Sequence, residues 1–217
     1  MPRDDFFEIT PSLLLQAYAS GVFPMAEPDD DTVRWIDPLA RGIIPLDGLH
    51  ISRSLKKQIL RGGFRVTTDT CFEQVMRACA DRDETWISEE LIAAYVGLHQ
   101  RGYAHSVEIW DEDGALIGGL YGVRIGAAFF GESMFSRARS ASRIALVWLV
   151  AQLRTRGFTL LDTQFLTDHL VSMGAVEISR AEYHAHLYRA LRRHSDWGAL
   201  SIAASSAEVI QRATQMS

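Results

Sequence analysis

The spacing of apolar residues changes along this chain from a helical period to an alternating one and back, and the changes mark its elements. Thr10-Pro11, then Leu13, Leu14, Leu15 and Tyr18, then Gly21, carry the cap, first-position proline and closing glycine of a short helix. Val22-Phe23-Pro24-Met25 ends it. A loop rich in Asp and Pro follows through Asp29-Asp30-Asp31 to Trp35-Ile36-Asp37-Pro38, and Arg41-Gly42-Ile43-Ile44-Pro45-Leu46 reads as extended. Residues 1–49 are therefore expected to form a small N-terminal domain and 50–217 the main one. A second helix is predicted from Ser52 to Gly62-Gly63, and Phe64 to Thr68 alternates like a strand. Thr70 and Glu73 have capping-box spacing for a helix reaching about Asp81, and Ser88 opens another that Gly102 closes.

From Ala104 the period becomes two. Ala104 to Asp111, a turn at Asp113-Gly114, Ala115 to Arg124, a turn at Gly126 and Ala127 to Met134 predict a three-stranded meander. Ser140 to Arg156 is a strongly apolar helix, followed by a strand around Asp162, a short helix from Asp168 to Met173, an extended Val176-Glu177-Ile178 and a last helix from Ala181 to Arg193. A meander that feeds a long helix and a return strand has the order of acetyltransferase-like GNAT folds. The expected class is α+β, a GNAT-like mixed sheet flanked by helices, with the small N-terminal domain appended.

Composition narrows what such a fold does. With 217 residues, 47% hydrophobic and 23% charged, the chain can bury a substantial core, and its net charge of -5 excludes a uniformly basic nucleic-acid binder while leaving room for a local basic patch. No apolar run is long enough to span a membrane, and Met1-Pro2-Arg3-Asp4-Asp5 lacks the charged-then-apolar order of a signal peptide, so a soluble cytoplasmic protein is expected. Cys71 and Cys79 fall eight apart in a helical pattern, too far along the axis for a disulfide, and are expected as reduced core thiols.

Two runs carry the candidate chemistry. Phe129-Phe130-Gly131-Glu132-Ser133-Met134-Phe135-Ser136 and Leu160-Leu161-Asp162-Thr163-Gln164-Phe165 each set a carboxylate among apolar residues. Removing a carboxylate from water costs several kcal/mol unless a cation or hydrogen-bond donors meet it, so such a placement calls for a partner. In a strand, Asp162 and Gln164 share one face about 7 Å apart, while Leu161, Thr163 and Phe165 take the other. Capping of backbone donors near strand ends is the alternative for each carboxylate. No His or Cys spacing suits a metal, since His184 and His186 point to different helix faces. Ser133 lacks the second glycine of a G-x-S-x-G elbow, which disfavours a hydrolase triad.

Taken together, Gly21-x-Phe23-Pro24-Met25, Ala104-His105-Ser106-Val107-Glu108, Gly118-Gly119-Leu120-Tyr121-Gly122-Val123, Gly131-Glu132-Ser133-Met134-Phe135-Ser136, Asp162-x-Gln164 and Asp168-His169-Leu170 resemble the leucyl/phenylalanyl-tRNA–protein transferase family, from about Leu13 to Arg180. The resemblance implies a small N-terminal domain, a GNAT-like catalytic domain, and transfer of Leu, Phe or Met from aminoacyl-tRNA to acceptor proteins with N-terminal Arg or Lys, marking them for degradation. No cofactor, metal or membrane is implied. The shortened N-terminus, and Ile36 beside Trp35 where the family often has two tryptophans, are departures.

An aminoacyl ester is already activated, so amine attack needs only a neutral nucleophile and a stabilised oxyanion. The resemblance maps the family's relay onto Asp162 and Gln164. An amide is too weak a base to take the proton, so the carbonyl of Gln164 is expected to hold the amine while Asp162 orients it or accepts the proton through water. Glu132 is expected to meet the acceptor's cation. Leu, Phe and Met share only bulk and flexibility, which calls for an apolar pocket, and Leu120, Gly131, Met134, Leu146 and Leu161 match that need and the family's pocket positions. Trp35, Trp86 and Tyr95 match the wall near the tRNA 3′ end, where an aromatic ring can stack on a base. Arg53, Lys56, Lys57 and Arg61, with Arg65, form a basic cluster for tRNA phosphates, and Arg137, Arg139 and Arg143 a second. Ordinary core packing and a solvated helix face are the plain alternatives. Two rival functions remain at this point. One is an acyl-CoA-dependent GNAT acyltransferase, disfavoured because Ser136-Arg137-Ala138-Arg139-Ser140-Ala141 has no glycine. The other is a non-catalytic adaptor for basic N-termini.

Overall fold

The computed structural model describes residues 9–26, 33–82, 85–198 and 205–214. The N-terminal pentapeptide and the Asp29-Asp30-Asp31 loop lie outside the described residues. The chain begins with helix α1 (Pro11–Ala19), where the Thr10 hydroxyl accepts from the Leu13 amide and Pro11 occupies the first turn as expected. Strands β1 (Phe23–Ala26) and β2 (Val33–Ile36) follow as an antiparallel pair, where the sequence pattern reads as chain end and loop. Strand β3 (Ala40–Ile43) then enters the main sheet.

Helix α2 (Arg53–Arg61) runs between the Ser52 cap and Gly62, whose φ of 73° is the left-handed conformation that glycine adopts without strain. Strand β4 (Arg65–Thr68) leads to α3 (Phe72–Ala80) and α4 (Glu89–Gln100, capped by Ser88). The expected capping box does not form at α3. Cys71 is the N-cap and makes no side-chain cap bond, Thr70 bonds back to the Thr68 carbonyl, and Glu73 pairs with Arg77. The reason lies one residue earlier. Asp69 adopts φ 59° and turns its carboxylate onto the Ser106 amide and the His105 ring, which sets how the chain enters the helix. Cys71 and Cys79 are free; Cys79 is buried and Cys71 half-buried.

The meander is strands β5 (Ala104–Trp110), β6 (Leu116–Ile125) and β7 (Ala128–Ser136), and helix α5 (Ala141–Thr155) returns the chain to β8 (Leu160–Gln164), parallel to β7. Helix α6 (Asp168–Val171), strand β9 (Val176–Ser179), α7 (Arg180–Leu191) and a last helix α8 (Ser206–Thr214) complete the described chain. The sheet has seven strands in the order β4-β5-β6-β7-β8-β3-β9. It is mixed and flanked by helices on both faces, as the sequence led us to expect. One core, around Tyr18, Tyr95, Phe130 and Tyr183, lies under α1, α3, α4 and α7. The other, around Leu120, Phe129, Leu146 and Leu161, lies under α2, α5 and α8.

Residues 40–43 belong to the smaller unit in the sequence reading, which ended that unit at residue 49. Their strand is instead hydrogen-bonded between β8 and β9. An extended run looks the same in sequence whether its partner is a local hairpin or a strand 120 residues on, so only the folded pairing tells the two apart. No described helix is long and apolar enough to cross a membrane.

Candidate active site

Strands β7 and β8 are hydrogen-bonded from Ala128↔Leu160 to Phe130↔Asp162. Residues from both strands beyond that pairing line a cavity of about 470 Å³, joined by β1, β6 and α5. Each of the two carboxylate-bearing runs thus contributes residues to one cavity.

Glu132 and Gln164 meet there. Gln164 Nε2 donates to Glu132 Oε1 at 2.8 Å, and the Tyr95 hydroxyl donates to Glu132 Oε2 at 3.1 Å. Tyr18 in turn makes a very short contact with the Tyr95 hydroxyl. With Tyr95 donating to the carboxylate, Tyr18 is the donor to Tyr95, giving a buried chain of hydroxyls that ends on Glu132. Burial pushes the Glu132 carboxyl up to about 7, with the nearby Asp162 charge adding to the rise, while the hydroxyls and Gln164 partly offset it. Glu132 therefore holds its proton to higher pH than an exposed carboxyl does. The same burial holds the phenols of Tyr18, Tyr95 and Tyr121 protonated, far above their ordinary range.

Gln164 reaches Glu132 from a backbone with φ 61°, rare for a residue with a side chain. Asp162 holds it there, because its Oδ1 accepts from the Gln164 amide at 2.8 Å. The rest of the Asp162 carboxylate is occupied by Arg41, whose Nε and Nη2 donate at 2.9 and 2.6 Å, and by the Tyr183 hydroxyl at 2.7 Å. Asp162 is fully buried and does not line the cavity. The expected alternation holds for Leu161, which packs into the core around Leu146, and Asp162, which reaches Tyr183, but ends at Gln164, whose positive φ breaks the strand and leaves Thr163, Gln164 and Phe165 lining the same cavity. Proximity to the cavity does not follow from strand face. Gln164 faces it, and Asp162 is turned onto a cation.

Arg41 is the residue that sequence reasoning missed. Its guanidinium lies between the Phe23 and Tyr183 rings, 4.5 and 4.3 Å from their centroids, and Nη1 donates to the Gly21 carbonyl at 3.0 Å. One side chain thereby ties the turn after α1, β1, β8 and α7 together. The available signal was a charge at the head of the apolar run Arg41-Gly42-Ile43-Ile44.

Leu120, Gly131, Met134, Leu146 and Leu161, expected as an apolar pocket, all line the cavity, as do Leu149 and Leu170, which were not among the expected pocket residues. A Cβ on Gly131 would sit 3.4 Å from the Asp162 carbonyl, so its absence leaves space at the strand junction. Trp86 lines the cavity too. Tyr95 lies behind it, on Glu132. Trp35 is not on the wall; it is 37% exposed on β2, paired with Pro24, which does line the cavity. Arg53, Lys56, Lys57 and Arg61 are exposed along α2, and Gln58 of that helix bonds the Arg139 carbonyl just before α5, linking the helix to the loop that follows β7. Among the described residues, no cluster of three or more metal-ligating side chains occurs.

Five buried side-chain polar atoms of the described residues have no hydrogen-bond partner, and three of them belong to residues on the cavity wall: Tyr121 OH, Thr163 Oγ1 and His169 Nε2. Such groups cost about 1–3 kcal/mol each when unsatisfied, so three of the wall residues carry hydrogen-bonding capacity that the described residues do not use.

Comparison with known proteins adds family and fold. The family model "Leucyl/phenylalanyl-tRNA protein transferase" matches residues 43–188, and that of its N-terminal domain matches residues 7–39. A leucyl/phenylalanyl-tRNA–protein transferase of Cereibacter sphaeroides is 54% identical over 210 residues, 96% of this chain and 98% of the relative. One from Ruegeria pomeroyi is 55% identical, covering 96% and 99%. Among solved structures, FemX superposes with a TM-score of 0.52 at 13% identity, over 76% of this chain and 66% of that one. That likeness concerns the fold alone, which is GNAT-like.

Proposed function

This chain belongs to the leucyl/phenylalanyl-tRNA–protein transferase family and is a transferase enzyme, and from that premise we propose that it moves Leu, Phe or Met from aminoacyl-tRNA to the α-amine of proteins beginning with Arg or Lys, marking them for degradation. The observation that carries the reading is the pairing of Glu132 with Gln164 on the wall of a largely apolar cavity. Leu146, Leu161 and Met134 take the aminoacyl side chain, and a thioether adapts to Leu, Phe or Met alike.

The acceptor amine enters beside Glu132. With Nε2 of Gln164 donating to Glu132, its amide oxygen is left to accept an N–H of the amine and orient it. The amine nitrogen attacks the ester carbonyl carbon, and its proton passes to the Glu132 carboxylate. Collapse of the tetrahedral intermediate breaks the bond to the ribose oxygen, which leaves with that proton. A carboxyl poised near 7 suits both halves, accepting from a developing ammonium and donating to an alkoxide. Asp162 is a positioning residue in this scheme, since it is fully buried off the cavity wall with its charge paired to Arg41, whereas Glu132 lines the cavity. The carboxylate also supplies charge complementarity for a basic acceptor terminus. Arg53, Lys56, Lys57 and Arg61 offer tRNA phosphates a basic helix face, and Trp86 a ring on the cavity wall for the terminal base.

The test is direct. Purified protein given Leu- or Phe-charged tRNA and a peptide beginning with Arg or Lys should form the new peptide bond without ATP, metal or CoA. A requirement for acyl-CoA, or binding of the peptide with no transfer at all, would refute the reading.

A further inference from the structure

Of the three cavity-lining residues that carry an unpartnered buried polar atom, His169 is the one whose ring hydrogen can be assigned from its contacts. Its other nitrogen, Nδ1, lies 3.4 Å from Nε of Arg143. A guanidinium has donors and no acceptor, so Nδ1 must present its lone pair and the ring hydrogen sits on Nε2. Burial, and then the charge of Arg143, hold the ring below its ordinary pKa, which favours the neutral form. The result is a neutral N–H donor, fixed by an arginine behind it, that meets no acceptor among the described residues.

We propose that His169 Nε2–H donates to the carbonyl oxygen of the aminoacyl ester and stabilises the oxyanion that forms when the amine attacks, with Arg143 as its positioning residue. The proposal rests on the reading of the cavity as the aminoacyl-tRNA site. Its place argues for the ester. The next residue, Leu170, lines the cavity together with Leu146 and Leu161, so the donor borders the apolar region that takes the amino-acid side chain. A phosphate would favour a cationic imidazole, which Arg143 opposes. The most obvious competing donor, Gln164 Nε2, is already committed to Glu132. As the amine nitrogen bonds to carbon, the carbonyl π pair moves onto oxygen and is met by the N–H. The pair returns when the ribose oxygen leaves. His169 loses no proton in this cycle, in the manner of a neutral histidine that polarises a carbonyl.

The experiment combines kinetics with nitrogen-15 NMR on the full chain. His169→Phe should lower kcat by about 10²–10³, the usual loss for one oxyanion donor, and leave KM for aminoacyl-tRNA and the melting temperature nearly unchanged. His169→Gln, which restores an N–H donor on a side chain of similar reach, should recover part of the loss. In the free wild-type protein the His169 ring should be the neutral Nε2–H tautomer, and its proton should move downfield on addition of 3′-deoxy-3′-(phenylalanylamido)adenosine, whose amide carbonyl stands in for the ester. An Nδ1–H tautomer, binding of that analogue without a response at Nε2–H, or unaltered kcat in His169→Phe overturns the proposal while wild-type transfer leaves the assigned function standing. So does a raised KM with weaker salt dependence and normal kcat, which gives the donor to a phosphodiester. Absence of transfer by wild type overturns both.

Discussion

Arg41 and Asp162, 121 residues apart in sequence, meet in a two-pronged ion pair at 2.9 and 2.6 Å with both side chains out of contact with water. Removing one partner of such a pair leaves a buried charge and costs about 3–5 kcal/mol. Replacing both with uncharged groups need not, because each ion had a desolvation cost to recover. The pair positions Gln164 rather than reacting, since the Asp162 carboxylate also fixes the Gln164 amide.

For Arg41→Met, melting temperature should therefore fall by about 6–20 °C, taking roughly 2–4 °C per kcal/mol for a domain of this size. Adding Asp162→Asn should restore part of that loss. Thermal scans of the two variants decide the matter: a single variant as stable as wild type, or a double variant no better than the single, would contradict this account.

Gln164→Ala removes the group assigned to orienting the amine and should cut turnover by about 10²–10⁴ while the protein stays folded. Glu132→Gln keeps the shape but removes the carboxylate assigned to carrying the proton, and turnover with peptides beginning with Arg or Lys should drop about 10²–10⁴-fold with aminoacyl-tRNA binding nearly intact. Peptide kinetics and tRNA affinity on the two proteins check this. Parallel loss of tRNA binding would mean that the pair supports the cavity wall and does not handle the acceptor.

Glu132 also makes a pH prediction. Its folded pKa of about 7 lies above the ordinary value of 4.5, so between those values the folded state holds more proton than the unfolded one, and stability falls as pH rises. The loss is absent below about 4.5, complete above about 7 and on the order of 3 kcal/mol. Glu132→Gln carries no such penalty, so its stability relative to wild type should improve between pH 5 and pH 8 in urea titrations. The rate with wild type should rise with pH through about 7, and that limb should vanish in the variant. A stability difference flat with pH would place the carboxyl back in the ordinary range.

On α2, Lys56→Ala with Lys57→Ala should weaken tRNA binding and flatten its salt dependence, each lost phosphate contact lowering the log–log slope by roughly 0.9 for duplex or 0.7 for single strand. Affinity measured across a salt series gives the answer directly. An unchanged slope would assign that helix face to solvent.

Most of the regular elements were legible before any folding was considered, because their signals are local. Caps at Thr10, Ser52 and Ser88 and the alternation of the meander state their own outcome within a few residues. The capping box at Thr70 failed for a non-local reason: Asp69 bonds to residues 36 and 37 positions away. The seat of Glu132 and Gln164 was legible too, as polar residues set in apolar strands that required partners.

What only the tertiary structure decided is who those partners are. Sequence paired Asp162 with the chemistry because two residues on one strand face look equivalent, and it gave Arg41 to a separate N-terminal domain. Folding brings β3 alongside β8, delivers the Arg41 charge to Asp162 and, of the pair Asp162 and Gln164, leaves Gln164 facing the cavity. The same holds for His169, whose free hydrogen is set by an arginine 26 residues earlier on another helix. Periodicity fixes which way a side chain points because that is a property of the local backbone. A buried charge finds its counter-ion, and a ring its tautomer, through contacts between elements that no local pattern encodes.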